Sequence, residues 1–432
     1  MKSFLAALLL GAAPLAAASP APAPQSSSQR VSYDGYKVFR LPVGTDASKV
    51  AGIVDRLGLS TWKGAPRAGS FADVVVPPAQ VDAFRGEIAG MEAVVTMHED
   101  LGASIAEEAS FQAYAGKYYP GAVNQSWFTS YHAYRDHLAF LSDLSAQYSA
   151  NAEVVTSGSS LQGNAITGIH IFGSAGKGKK PAVVFHGTVH AREWISTMVT
   201  EYIAYTLLTN YGSSSEIKGF VDKYDFYIFP AVNPDGFLYT QSTDRMWRKN
   251  RQSTSGSSCV GHDINRNWPF QWSAPGGAST NPCAEDFKGK SAGDAPETAA
   301  LSSWLKGVKA SQGLKLFIDY HSYSQLFMTP YGYSCDALAV NNAELQALAR
   351  GAVAAIKAVH GVSFRYGPIC STIYKASGSS VDYVNDVVGS DYTFTSELRD
   401  TGDYGFVLPP SQILPSGEEA FAGVRYLLLN MK

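Results

Sequence analysis

The stretch Pro181-Ala182-Val183-Val184-Phe185-His186, followed closely by His190-Ala191-Arg192-Glu193-Trp194 and then by the run Ile195 to Leu208, decides the fold of this chain. The first six residues read as a strand whose apolar character does not alternate. The last run has helical spacing, and the turn between them carries a histidine and a carboxylate. The same alternation recurs downstream. Phe226 to Pro230 and Leu314 to Tyr320 read as strands, and Tyr131 to Gln147, Pro296 to Val308 and Ala343 to Val359 as helices. Strands separated by helices predict an α/β domain over 112–432, with a central mixed, largely parallel sheet flanked by helices on both faces.

Upstream the texture differs. Tyr36 to Leu41, Phe71 to Val76 and Ala93 to Met97 read as strands, and Ser48 to Leu57 and Gln80 to Ala89 as helices. This β-α-β-α-β order predicts a small α/β unit of ferredoxin-like type, joined to the larger domain by a polar helical connector, Asp100 to Ser110. The first residues are of another kind. Lys2, the apolar run from Phe4 to Leu15 and the small residues Ala16-Ala17-Ala18 read as a secretory signal peptide over 1–18. Gly11 and Pro14 interrupt the run, which is short for a membrane span. A secreted, extracellular protein with no membrane partner is therefore expected.

A chain of 432 residues is too long for one typical core, which agrees with two units. A formal net charge of −3 gives no electrostatic reason to expect nucleic acid as a partner. Cys259, Cys283, Cys335 and Cys370 make an even count, which in an oxidising compartment suggests two disulfides; four cysteines allow three connectivities.

In open α/β sheets, sites form beyond the carboxyl ends of strands. There, His190 and Glu193 are three residues apart and can point from one turn at one atom. His321, directly after the run Leu314 to Tyr320, can converge on the same edge. Two nitrogens and a carboxylate oxygen suit zinc, and three protein ligands leave a catalytic zinc one open position. H-x-x-E alone is a weak signal, since most such pairs are ordinary surface residues. His186, at a strand end, fits a supporting or packing role better than ligation. Gly173-Ser174-Ala175-Gly176-Lys177-Gly178-Lys179-Lys180 looks like a phosphate loop but has Lys180 where Ser or Thr is needed. No G-x-S-x-G supplies a serine nucleophile.

Five segments in order resemble the carboxypeptidase A family of metallocarboxypeptidases: His190 to Trp194, Asp263-Ile264-Asn265-Arg266-Asn267-Trp268, His321-Ser322-Tyr323-Ser324-Gln325, Thr372 to Gly378, and Glu397-Leu398-Arg399-Asp400-Thr401-Gly402. The resemblance covers about residue 120 to the C-terminus, and the small α/β unit resembles the family's inhibitory propeptide. It implies zinc held by His190, Glu193 and His321, the His₂Glu set already known for carboxypeptidase A. It further implies that Asp263 orients His190. Glu397 would be the general base for a zinc-activated water, and Arg248 would stabilise the developing oxyanion. Asn265, Arg266 and Tyr374 would bind the substrate's terminal carboxylate, and Arg192 would contact further substrate. Val381 would form the pocket floor, which favours aromatic or aliphatic C-terminal residues. The cysteine positions fit the pairs Cys259–Cys283 and Cys335–Cys370. The implied partners are peptide or protein C-termini as substrate, the chain's own segment 19–111 as inhibitor and an activating protease, acting on a monomer. Without the resemblance, Glu397 reads as paired with Arg399, and Arg266 as bridged to Asp263. Two other hypotheses are a non-catalytic binding protein of the same fold and a zinc hydrolase of another amide.

Overall fold

The computed structural model describes residues 30–111 and 123–432. The expected signal peptide, 1–18, lies outside the described residues.

The N-terminal unit contains strands β1 (Lys37–Pro42), β2 (Ser60–Thr61), β3 (Phe71–Val76) and β4 (Val95–His98), with helices at Ser48–Leu57 and Val81–Glu87. The order β2-β3-β1-β4 with antiparallel pairing throughout is ferredoxin-like. The sequence reading had three strands here; the structure adds β2, whose two residues are too few to show an alternation. Val50, Ile53 and Val54 from the first helix and Val81 and Phe84 from the second pack on Phe39, Leu41, Val74 and Val76. A third helix, Leu101–Glu108, begins at Asp100, whose side chain accepts from the Ala103 N–H as an N-cap.

The C-terminal domain is built on an eight-stranded sheet of order β11-β10-β12-β9-β7-β8-β6-β5. Its strands are β5 (Ala152–Ser159), β6 (Ala165–Ile171), β7 (Ala182–Gly187), β8 (Asp225–Phe229), β9 (Leu314–His321), β10 (Leu326–Thr329), β11 (Arg365–Pro368) and β12 (Tyr392–Glu397). The central run β12-β9-β7-β8 is parallel. Towards the margins β10 pairs antiparallel with β12, and β6 with both β8 and β5.

Period-two geometry explains why the sequence of β7 does not alternate. Val183 and Phe185 point into one layer with Met198, Val199 and Leu207 of the helix Trp194–Asn210, while Ala182 and Val184 point into the opposite layer with Leu301 and Leu305 of the helix Pro296–Gln312. Truncating a side chain such as Phe185 to Ala in this two-sided core costs about 3–5 kcal/mol. The helices Asn342–His360 and Ile413–Asn430 complete the first layer. His321 proves to be the last residue of β9 rather than the first residue after it. Two disulfides, Cys259–Cys283 and Cys335–Cys370, close loops of this domain.

Candidate active site

Three adjacent parallel strands end at one place. Strand β7 runs out at Gly187, and the turn beyond it carries His190 and Glu193; β9 ends at His321 and β12 at Glu397. His190 Nδ1 lies 2.8 Å from Glu193 Oε1, His321 Nδ1 lies 3.0 Å from Glu193 Oε2, and the two Nδ1 atoms are 3.1 Å apart. All three side chains are buried.

The far nitrogens decide what this cluster can hold. His190 Nε2 is 3.2 Å from Asp263 Oδ1, and His321 Nε2 is 3.2 Å from Asp319 Oδ2. A carboxylate only accepts, so a hydrogen on each Nε2 has an acceptor beside it, and in that tautomer each Nδ1 keeps its lone pair. Two lone pairs and a carboxylate then face one point, an arrangement that repels unless a cation sits there. Two imidazoles and a carboxylate on one centre fit zinc. Among the described residues this is the one group of three or more such side chains with that convergence.

Asp263 also accepts from Arg248, through Oδ2 to Nη2 at 2.8 Å and Nε at 3.2 Å. Burial opposes the charge of Asp263, but Arg248 and His190 outweigh it and hold the carboxyl well below the usual range. Arg248 therefore takes the bond to Asp263 that was an alternative for Arg266. Its Nη1 reaches to 3.9 Å from Glu193, which brings its cationic fork to the metal cluster.

Arg266 donates from Nη1 to the Asn265 carbonyl at 2.8 Å, and its buried Nε has no hydrogen-bond partner among the described residues. Asn265 lies beside the metal cluster, with Nδ2 3.1 Å from His321 Nε2 and Oδ1 accepting from the Ser380 N–H at 2.9 Å. Tyr374 overhangs Arg266, the guanidinium carbon lying 5.7 Å from its ring centre. Gly378 lets its own segment lie against the Arg266 backbone: with φ +63°, a Cβ there would come within 2.3 Å of the Arg266 carbonyl oxygen. Next to these polar groups is a pocket lined by Met328, Ile369, Ile373, Ala376 and Val381, which opens on Glu397. Asp382, adjacent to Val381, does not face it as a free acid. Its carboxylate accepts from the Gly332 and Tyr333 N–H groups, and burial pushes it up to about 7.

Glu397 is not paired with Arg399, which bonds Glu419 instead. Burial, and then the Glu193 carboxylate, push Glu397 up to about 7 against the pull of His321, Lys63 and Arg248. Arg192 is engaged within the protein, donating to the Met246 and Trp62 carbonyls and pairing with Glu285 at 3.0 Å.

The N-terminal unit roofs this region. Lys63 Nζ donates to Ser324 Oγ at 2.8 Å and lies 4.0 Å from the Tyr323 ring centre. The Arg67 guanidinium lies 4.2 Å from the centre of the Tyr374 ring. Tyr323 Oη donates to Asp73, which is also held by Arg40. Beneath the roof is a cavity of about 580 Å³ that reaches Glu193, Arg248, Arg266 and Glu397. Sequence reasoning missed Lys63, Arg67 and Asp319. For the first two no signal existed, whereas Asp319 stands two residues before His321 on the same strand face.

Comparison with known proteins agrees with this geometry. The family described as zinc carboxypeptidase matches residues 137–423. A metallocarboxypeptidase A-like protein of Trichophyton verrucosum is 51% identical, covering 99% of both chains. Carboxypeptidase A2 of Rattus norvegicus is 35% identical, covering 88% of both. Thrombin activatable fibrinolysis inhibitor superposes with a TM-score of 0.83 at 28% identity, over 92% of this chain and 99% of that one. Carboxypeptidase A from Helicoverpa armigera gives 0.76 at 25%, over 91% and 97%. The ordered motifs, the His-Glu-His cluster and these matches together mean that the chain belongs to the zinc carboxypeptidase family, exopeptidase hydrolases of carboxypeptidase A type.

Proposed function

We propose that this protein is a secreted carboxypeptidase precursor whose mature form removes aromatic and aliphatic residues from peptide C-termini. The observation that carries the proposal is the juxtaposition of His190, Glu193, His321 and Glu397 with the Arg266 fork at the mouth of one apolar pocket. Arg266, assisted by Asn265 and the Tyr374 hydroxyl, binds the terminal carboxylate in a bidentate manner and so measures one residue from the chain end. The apolar lining around Val381 receives that residue's side chain. A lysine or arginine there would be buried without a partner, at a cost the apolar residues avoid.

His190, Glu193 and His321 would hold zinc, which when bound would supply Lewis acidity to water and to the scissile carbonyl. Glu397 accepts the proton released as water attacks and delivers it to the leaving amine. Arg248, aimed at the cluster from its bond to Asp263, stabilises negative charge as it develops on the carbonyl oxygen. Residues 19–111 act as the inhibitor, with Lys63, Trp62 and Arg67 standing over the site until a protease separates the two parts. The 1–18 segment directs export, in keeping with the two disulfides.

The test is to incubate the cleaved protein with peptides that differ only in the last residue, with and without a zinc chelator. Release of single C-terminal Phe, Tyr or Leu residues, abolished by chelation, is expected. Faster release of Arg than of Phe would sink the specificity.

A further inference from the structure

We infer that Asp319 is a positioning residue for the metal, its carboxylate fixing the orientation and tautomer of His321 and tying that ligand to the pocket turn at Ser380. The inference rests on the reading of His190, Glu193 and His321 as zinc ligands.

Strand periodicity puts Asp319 and His321 on the same face of β9, one pleat apart. The register across the sheet sets them in two successive rows. Asp319 stands between Thr395 of β12 and His186 of β7, directly behind the row formed by His321 and Glu397. Asp319 is fully buried, so its charge needs compensation. Thr395 spends its hydroxyl on the Asp319 carbonyl, at 2.9 Å. Both ring nitrogens of His186, and Asp319 Oδ1, have no hydrogen-bond partner among the described residues. Oδ2 therefore carries the bonding. It lies 3.2 Å from His321 Nε2, at ion-pair distance, and accepts from the Ser380 hydroxyl, while Asn265 Nδ2 stands 3.1 Å from the same ring nitrogen.

Two consequences follow for the metal. First, a carboxylate on Nε2 holds the hydrogen there, keeps the Nδ1 lone pair directed at Glu193 and His190, and makes His321 a stronger electron donor. His190 receives the same treatment from Asp263, so each imidazole of the cluster is backed by its own buried carboxylate. Second, Ser380 donates its backbone N–H to Asn265 Oδ1 while its hydroxyl holds Asp319. The ligand, the amide beside the metal and the turn preceding Val381 are thereby joined in one hydrogen-bonded chain. A purely structural acid would serve the Ser380 bond alone, and its loss would alter folding rather than metal affinity.

The test uses the full chain, stripped of metal and titrated with zinc against a chelating chromophore, as parent and as Asp319→Asn. Asparagine keeps the shape and an acceptor but removes the charge. Zinc affinity is expected to fall about tenfold or more, with the zinc-free proteins melting together. A smaller loss of affinity overturns the inference, and so does an Asp319→Asn chain that fails to fold with zinc in excess, because Asp319 then belongs to the core. A parent chain with no measurable zinc affinity is a distinct outcome, one that sinks the ligand reading itself.

Discussion

Glu397, the last residue of β12, stands directly across from His321, the last residue of the parallel neighbour β9. The backbone ladder of the sheet, rather than a loop, thus sets the distance between the proposed base and a proposed metal ligand. A base held so rigidly is hard to replace. Glu397→Gln is expected to lower kcat by about 10²- to 10⁴-fold while zinc content stays at that of the parent. Steady-state kinetics with metal analysis on the same sample checks this. A variant within tenfold of the parent would remove Glu397 from the reaction.

The same residue sets a pH dependence. Burial and then Glu193 raise it from the ordinary 4.5 to about 7, and a bound dication pulls it back within that window. A base works ionised, so kcat/KM is expected to rise with pH along an acid limb whose midpoint lies between 4.5 and about 7. Stability runs the other way. An acid whose folded value is raised contributes stability that is fully present below its ordinary value and is lost as pH climbs through the folded value. The zinc-free parent should therefore lose stability relative to zinc-free Glu397→Gln as pH rises from 5 towards 8. Denaturant melts of the pair at several pH values, beside the kinetic profile, give both signs. A kinetic midpoint below the ordinary value contradicts the burial argument.

Val381 carries the specificity prediction. With an apolar pocket floor, release of C-terminal Phe should exceed that of Arg by about 100-fold or more in kcat/KM, the cost of a buried charge with no partner. Val381→Asp supplies that partner and should move the ratio towards Arg by at least about tenfold. An unchanged ratio would mean that another part of the pocket reads the side chain.

The roof over the site gives a prediction about the uncut chain. Arg67 on Tyr374 and Lys63 on Ser324 are two contacts made by the N-terminal unit with residues at the site. Replacing both by Ala removes two cation–π contacts and a hydrogen bond, together about 2 kcal/mol. Activity of the uncut chain on a small peptide should rise about thirtyfold, and the cleaved enzyme should be unaltered. An equal effect on both forms would place the two residues outside inhibition.

How much of this was legible in the sequence depends on how far apart the interacting residues lie. Strand Phe71–Val76 and helix Ser48–Leu57 fall where their own periodicity puts them. The metal cluster was also readable, because two of its members share a turn and the third ends a strand with a strong apolar pattern. Asp319 was within reach by the period of two, but the family motif begins at His321. Contacts such as Arg67 on Tyr374 leave no trace in local pattern. Neither partner's neighbours repeat with a period, and only the docking of the two sheets brings them together.

The buried pair of Glu108 and Arg245 is the firmest of those long-range contacts. Arg245 Nε and Nη2 grip the two Glu108 oxygens at 2.6 and 2.7 Å, and both side chains are 1% exposed. Arg245 is held besides by the carbonyls of Arg192 and Phe406 and by the face of Trp194, so its charge cannot swing out to water when its partner goes. Removing one member of such a pair costs about 3–5 kcal/mol, because the other is left buried and uncompensated. Glu108→Ala should therefore destabilise the uncut chain by about that amount in denaturant melts. The exposed neighbour replaced in Glu107→Ala should change it by less than about 0.5 kcal/mol. Since Glu108 lies in the segment proposed to leave on activation, the cleaved enzyme made from either variant should match the cleaved parent. A loss that persists after cleavage and separation would show that the connector helix stays with the mature domain.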